Sequence, residues 1–307
     1  MQHGPAVRRR KLGEELRRQR DIAGLTSGEA ARLAGWHQSK VSRIETGRSG
    51  VKSEDVTRLL DVYGVTDPEL RSLLAALANS DANGGQRAWW HAYRELLPSA
   101  YRDFISLEAE AERARTLETL VVPGLLQTPR YARAVTRAAL ASLPARRIDE
   151  LVDVRIARQD VLRANPPLEL HAVLDEAVLR REVESPEVMA EQLEHLVEVG
   201  SLPQVRLQVL PFTHGLHIGV TGPFVIFSFP VSSDLDVVVL DHLTSSLYLE
   251  RKEDLRAYSE AFDTLRGRAL PCDDSLAFIA AIGDPLRRRS AHPPRTAHPP
   301  HPVHTLQ

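Results

Sequence analysis

Cysteine is almost missing from this chain of 307 residues, where Cys272 stands alone. A single thiol excludes an internal disulfide framework and any cysteine-rich metal site. Aromatic residues are scarce at 5%, and methionine occurs only twice. No apolar run approaches the roughly 18 residues that a membrane helix needs; the longest, such as Val237–Leu240, are strand-sized. Four adjacent basic residues, Arg8 to Lys11, have no apolar segment behind them and so do not read as a secretory signal. These absences point to a cytoplasmic protein with no membrane role.

What is present is balanced in total and uneven in place. Apolar residues make up 43% and charged residues 26%, an ordinary globular composition, and the length suits about two domains. The net charge is −2, yet residues 1–52 hold 12 Lys/Arg against 5 Asp/Glu, while residues 53–284 hold 23 against 36. A small basic head on an acidic body predicts that the head meets a polyanion. The plain alternative is a solvated basic helix face.

Residues 1–78 predict five short helices. Arg8–Ala23 sets Leu12, Leu16 and Ile22 near one face and ends at Gly24. Thr26 with Glu29 forms a capping box for a second helix to Ala34, closed by Gly35. Gln38–Glu45 follows, with Val41 and Ile44 inward. Ser53 opens a fourth helix through Tyr63 and Asp67-Pro68-Glu69 a fifth. Residues 79–88 read as a linker. Residues 89–284 predict an α+β domain: helices at 89–113, 128–141, 147–163, 176–183, 185–199, 252–268 and 275–282, with strands at 116–122, 169–174, 205–210, 224–229, 237–241 and 246–249. From Pro285 onward six of 23 residues are proline and four are histidine, so a disordered tail is expected.

Thr26–Gly47 carries the strongest information. Two short helices joined through Gly35 cross steeply, which lets the second enter a major groove while the first spans the backbone. Its exposed side chains, Gln38, Ser39, Lys40, Ser42 and Arg43, are candidates for reading bases: glutamine suits adenine N6/N7 and arginine suits guanine O6/N7. Arg10, Lys11, Arg17, Thr26, Ser27, Arg48 and Lys52 are candidates for binding phosphate and setting register.

These residues resemble the xenobiotic-response-element helix-turn-helix family, with its lambda- and 434-repressor-like fold. The matching positions are Arg20, Leu25-Thr26, Ala31, Gly35, Gln38-Ser39, Val41-Ser42-Arg43-Ile44-Glu45 and Gly47. The resemblance implies a five-helix bundle, a recognition helix at Gln38–Glu45, and an ion pair between Arg20 and Glu45. Ser27, Gly28 and His37 depart from the family pattern.

The body resembles the uncharacterised domain of actinobacterial WhiJ-like regulators. It does so through Trp89-Trp90, Leu107-Glu108, Val122-Pro-Gly-Leu-Leu-Gln-Thr128, Tyr131-Ala132-Arg133, Val154-Arg155, Ala157-Arg158-Gln159 and Leu174-Asp-Glu-Ala177. Leu179-Arg180-Arg181, Val209-Leu-Pro-Phe212 and Gly222-Pro-Phe224 continue the likeness. It implies a transcription regulator, often paired with a small acidic protein encoded nearby and sometimes antitoxin-like. Read from the residues alone, Pro123-Gly124 is a turn and Thr128 a helix cap. Arg155, Arg158 and Glu176 form either a buried structural network or a site for an anionic effector or partner.

Catalysis finds little support. His214, His217 and Asp241-His242 could be drawn together as a metal site, but they lie in loops without a helical motif. Cys272 sits in acidic surroundings that disfavour the thiolate. No cofactor or metal is expected. The sequence thus predicts a DNA-binding regulator acting as a dimer on double-stranded DNA, since one short helix reads few base pairs. The competing expectation is an antitoxin-like interaction protein whose DNA binding is secondary.

Overall fold

The computed structural model describes residues 4–47, 49–79, 93, 97–229, 236–242 and 245–291. The linker region, Trp89, Trp90, Arg48 and residues 292–307 lie outside that set. Five helices form the head: α1 (Gly4–Ile22), α2 (Ser27–Ala34), α3 (Gln38–Glu45), α4 (Ser53–Val62) and α5 (Pro68–Asn79). Their apolar positions close on one core, in which Leu16, Ala30, Ala34, Val41, Val56 and Leu59 lose all contact with water. Local chemistry sets the boundaries. The Asp67 carboxylate takes the Glu69 N–H at 2.9 Å, so the chain turns into α5 at Pro68, where a missing N–H costs nothing.

The body is an α+β domain around one six-stranded sheet. Its strands are β1 (Arg113–Glu118), β2 (Glu169–Asp175), β3 (Val205–Leu210), β4 (Phe224–Ser228), β5 (Val237–Asp241) and β6 (Ser246–Leu249), in the order β3-β2-β1-β4-β5-β6. The first three run parallel, with Leu170 opposite Val205 and Ala114 opposite Leu170; the last three join antiparallel. Parallel neighbours need crossovers. Here α7 (Pro129–Ala139) and α8 (Ala145–Ala157) link β1 to β2, and α10 (Pro186–Gly200) links β2 to β3.

Alternation along the strands builds two cores, because successive side chains face opposite ways. Ala114, Ala172, Leu207 and Phe227 point toward α6 (Ser99–Glu110), α10 and α12 (Cys272–Ala291). Leu117, Val173, Leu210 and Ile226 meet Phe262 and Leu265 of α11 (Lys252–Arg268) on the other side. A sheet covered on both faces explains why its strands read as nearly continuous apolar runs.

Several sequence expectations change, among them the strand expected over 116–122, which runs instead over Arg113–Glu118 because the helix before it ends at Glu110. The helix expected over 147–163 stops at Ala157 and tightens into a 3₁₀ segment, Arg158–Arg163. The helix after β2, α9, spans only Glu176–Arg180. The tail expected to be disordered from Pro285 is helical to Ala291, with the proline inside α12. An interior proline costs about 3 kcal/mol. Ile282 and Leu286 offset that cost by packing on the core, and Arg287 pairs with Asp284 and, at 3.5 Å, with Glu194 of α10.

Candidate nucleic-acid interface

The helix pair α2–α3 is fixed at each end by named contacts. Thr26 and Glu29 close a reciprocal capping box: the Thr26 N–H donates to Glu29 Oε2 at 2.8 Å, and the Glu29 N–H donates to Thr26 Oγ1 at 3.2 Å. The Thr26 N–H and hydroxyl, both donating to that carboxylate, lower the Glu29 pKa from its usual value. Gly35 takes a left-handed conformation with φ 71°, which costs a glycine little and lets its N–H return to the carbonyls of Ala31 and Arg32. His37 then stands at the start of α3 without a side-chain cap.

The inner face of α3 is Val41, Ile44 and Glu45, all buried. Glu45 receives both arms of Arg20: Nε donates at 2.8 Å and Nη2 at 3.1 Å, while Nη1 donates to the Leu25 carbonyl at 2.6 Å. The hydrogen bond to Glu45 raises the Arg20 pKa above its ordinary value. The Tyr63 hydroxyl adds a donor to Glu45 at 3.3 Å, and burial pushes that phenol up. One residue of this anchorage escaped the sequence reading. Gly13 of α1 lies so close to α3 that a Cβ there would be 2.5 Å from the Ile44 carbonyl oxygen. The available signal was a glycine inside a helix, a position where it is normally unfavourable.

On the outer face, Gln38, Ser39, Ser42 and Arg43 are exposed together. Gln38 Nε2 donates to Ser27 Oγ at 3.0 Å, linking the starts of the two helices, and Arg43 Nε returns to the Ser39 carbonyl at 3.2 Å. Lys40 behaves differently. Its ammonium sits 3.6 Å from the centre of the Trp36 ring and 3.0 Å from Asp55 of α4, so it is turned aside from the exposed face. The reason is helical geometry: Lys40 falls beside Ile44 at the edge of the buried stripe. Here Lys40 clips α3 to α4.

The phosphate candidates are unequal. The Thr26 hydroxyl is taken by Glu29 at 2.8 Å, whereas Ser27 accepts from Gln38 and keeps its own proton to give. Arg17 is exposed, 4.0 Å from Asp21, and Lys52 is exposed at the entrance to α4. Arg10 and Lys11 lie on α1, with side chains outside the described set, as is Arg48. Arg58 was missed; it is exposed on α4, and its guanidinium lies beside the Gly35 turn, 3.9 Å from where a Cβ would be.

Residues 11–74 match a helix-turn-helix domain, and residues 101–281 match a domain of unknown function, DUF5753. The second match spans more than half of the chain. The protein belongs to the DUF5753 family. Its helix-turn-helix makes it a DNA-binding regulator. No curated protein and no solved structure matches the chain. Among the described residues no helix is long and apolar enough to cross a membrane.

In the DUF5753 part, the three residues proposed as one network divide. Arg158 donates to Glu108 of α6 through Nε at 2.8 Å and Nη2 at 2.7 Å, and to the Tyr101 hydroxyl at 2.6 Å. Glu176 instead accepts from Arg180 at 2.5 Å and from the Phe212 N–H at 2.8 Å. Arg155 donates to Gln127 at 3.2 Å. The expected partnership with Glu176 is therefore replaced by one with Glu108. The change from α8 to a 3₁₀ segment at Arg158 swings that side chain toward α6.

The Pro123–Thr128 segment is held from two sides. Gln159 Nε2 donates to the carbonyls of Gly124 and Gln127, and Gln192 of α10 spans Leu126 O and Thr128 N at 2.7 and 2.8 Å. These residues carried the family likeness, and their geometry is that of a locked loop.

The histidine candidates do not converge. His217 accepts the Gly219 N–H at Nδ1, so its Nε2 proton faces Asp175 Oδ2 at 3.2 Å; Asp175 in turn caps α9. His214 occupies a separate 3₁₀ turn, and its carbonyl accepts from Arg268. Asp241 accepts from Ser246 at 2.6 Å, and His242 is exposed just beyond β5. Among the described residues no three His, Cys, Asp or Glu side chains gather as metal ligands.

Proposed function

We propose that this DUF5753 protein is a cytoplasmic, non-enzymatic, sequence-specific regulator of bacterial transcription that binds double-stranded DNA as a dimer. The resemblance to xenobiotic-response-element and WhiJ-like regulators supports this finer reading. Residues 1–78 read DNA, residues 79–88 connect, and residues 89–284 dimerise and receive an effector or partner. The supporting observation is one helix with two faces: Gln38, Ser39, Ser42 and Arg43 are open to a ligand, while Val41, Ile44 and Glu45 anchor the opposite side. Gln38 suits adenine, Arg43 suits guanine, and the serines suit either. Ser27, Lys52, Arg17 and Arg58 flank that face as phosphate contacts that set register. Two copies double the sequence read, and occlusion of a promoter follows from tight binding.

Fluorescence anisotropy on DNA from upstream of the protein's own gene, with scrambled DNA as control and a salt series, tests the reading. Wild type prefers its own upstream DNA, and Arg43→Ala loses about 1–3 kcal/mol of that preference while keeping salt-sensitive background binding. Equal binding of both DNAs by wild type sinks sequence-specific autoregulation.

A further inference from the structure

The edge of the sheet where β1, β2 and β3 begin opens into a cavity of about 870 Å³. That volume falls in the range of about 300–1,000 Å³ typical of small-molecule sites. Its walls are the end of α6, the 3₁₀ segment, the loop through Pro166 and Pro167, and the first residues of the three strands. Ala109, Val161, Leu168 and Leu170 supply an apolar floor.

The charged lining is unevenly satisfied. Glu108 is spent on Arg158, and Glu169 on Arg113 at 3.1 Å. Glu110 takes a hydrogen bond from Ser106 at 3.3 Å, which leaves Glu112 and Asp160, with Arg206 also in the lining. Glu112 and Asp160 are exposed to the cavity's water and have no side-chain partner among the described residues. His171 adds no positive charge at neutral pH, because burial lowers its pKa; its Nε2 faces Gln208 Oε1 at 2.7 Å, and Gln208 Nε2 donates onward to Leu270 O. An apolar floor under surplus carboxylate selects an apolar body that carries a positive charge.

The same wall leads to the head. α6 packs against both α1 and the 3₁₀ segment. α1 in turn holds the recognition helix through Gly13 and Arg20. The Glu108–Arg158 pair ties the two walls, so that displacing one carries the other. We propose that this cavity binds a small organic cation with an apolar body, and that its occupancy is transmitted through α6 and α1 to the recognition helix. The transmission rests on the DNA-binding reading; the cavity does not.

Two compounds of the same shape and opposite charge test the site on the full chain without DNA. In calorimetric titrations tetraphenylphosphonium binds saturably and at least about tenfold tighter than tetraphenylborate. Glu112→Gln with Asp160→Asn removes that discrimination. Ala164→Trp, on an exposed part of the wall, abolishes binding without moving the unfolding midpoint. Equal or tighter binding of the anion, binding unchanged in either variant, or no saturable binding overturns the site. Anisotropy then reads the transmission: the cation shifts affinity for upstream DNA in wild type and not in Ala164→Trp. Cation binding with DNA affinity unmoved overturns the transmission. Cation binding by a chain that binds no DNA overturns the functional reading while the cavity stands.

Discussion

In the head, Arg20 reaches from α1 to Glu45 on the recognition helix; in the body, Arg158 reaches from a 3₁₀ segment to Glu108 on α6. Both pairs are two-armed and buried. Arg20 also touches a backbone carbonyl and the exposed carboxylate of Asp21, so other oxygens stand ready for its charge. Arg158 also donates to the Tyr101 hydroxyl, but otherwise packs against the rings of Tyr101 and Phe104, 5.3 and 5.0 Å away. Burial works against its charge, yet Glu108 and Tyr101 hold its pKa well above the ordinary value. The difference teaches where each domain tolerates damage. The head pair sets the orientation of a helix and has substitutes nearby, whereas the body pair leaves a carboxylate stranded when it is cut.

The largest expected effect follows from that stranding. Arg158→Met costs about 3–5 kcal/mol, because Glu108 remains buried without its partner. Arg20→Met costs less, about 3 kcal/mol, since Tyr63 still donates to Glu45. Urea midpoints measure both. Adding Glu108→Leu to Arg158→Met restores most of the loss, as apolar groups often replace a buried pair without penalty. A single Arg158→Met variant as stable as wild type breaks the contrast.

Two glycines sharpen it at the next level. In the head, Gly13→Ala drives a methyl into the backbone of α3, 2.5 Å from the Ile44 carbonyl oxygen. It destabilises by about 1–3 kcal/mol and weakens DNA binding, although alanine is the better helix former. In the body, a Cβ at Gly200 would meet Leu276 Cδ2 at the same 2.5 Å, but that atom ends a flexible side chain that can turn away. Gly200→Ala therefore stays within about 0.5 kcal/mol of wild type. Thermal unfolding of both variants decides it, and a stabilising Gly13→Ala would show that α1 does not rest on α3.

The body also holds an acid that the head lacks. Burial pushes the Glu118 carboxyl up to about 8. Its neighbour Thr116 faces it at 3.3 Å and Phe224 O at 3.0 Å with one hydroxyl proton, so a protonated Glu118 completes the chain. A raised pKa means that the folded state binds more protons than the unfolded chain between about pH 4.5 and 8. Stability therefore falls across that window as pH rises, by about 1–2 kcal/mol once water at the half-buried carboxyl is allowed for. Glu118→Gln flattens the slope. Identical slopes in both proteins would clear Glu118 of the effect.

The head was legible because its determinants are local. The Thr26–Glu29 box, Gly35 and the Val41/Ile44 spacing lie within one stretch of 22 residues, Thr26–Gly47. Each is a short-range rule. The body's strands were legible as apolar runs, but their order was not, since pairing β1 with both β2 and β4 depends on distant segments. Glu108 and Arg158 both stood in segments that carried the family likeness, yet they are 50 residues apart and no local pattern joins them. Glu176 looked a nearer partner until its carboxylate was found on Arg180 and Phe212. Pro285 misled for the opposite reason: its local cost was plain, while the offsetting contacts of Leu286 and Arg287 come from elsewhere in the fold.

The smallest effect concerns which recognition-helix cation meets DNA. Arg43 is exposed, whereas Lys40 divides its charge between Trp36 and Asp55 and is only 37% exposed. Such a half-exposed clip contributes under about 1 kcal/mol to stability. Lys40→Met keeps the apolar stem against Trp36 and leaves the preference for upstream over scrambled DNA unchanged. The salt dependence of binding separates the remaining roles. A base contact would relax discrimination at one position by about 1–3 kcal/mol, and a phosphate contact would reduce the salt slope by about 1. Neither change occurs if Lys40 stays on Asp55 in the complex. A reduced slope would mean that DNA draws Lys40 away from Asp55, and that this clip opens on binding while Arg20 and Glu45 remain closed.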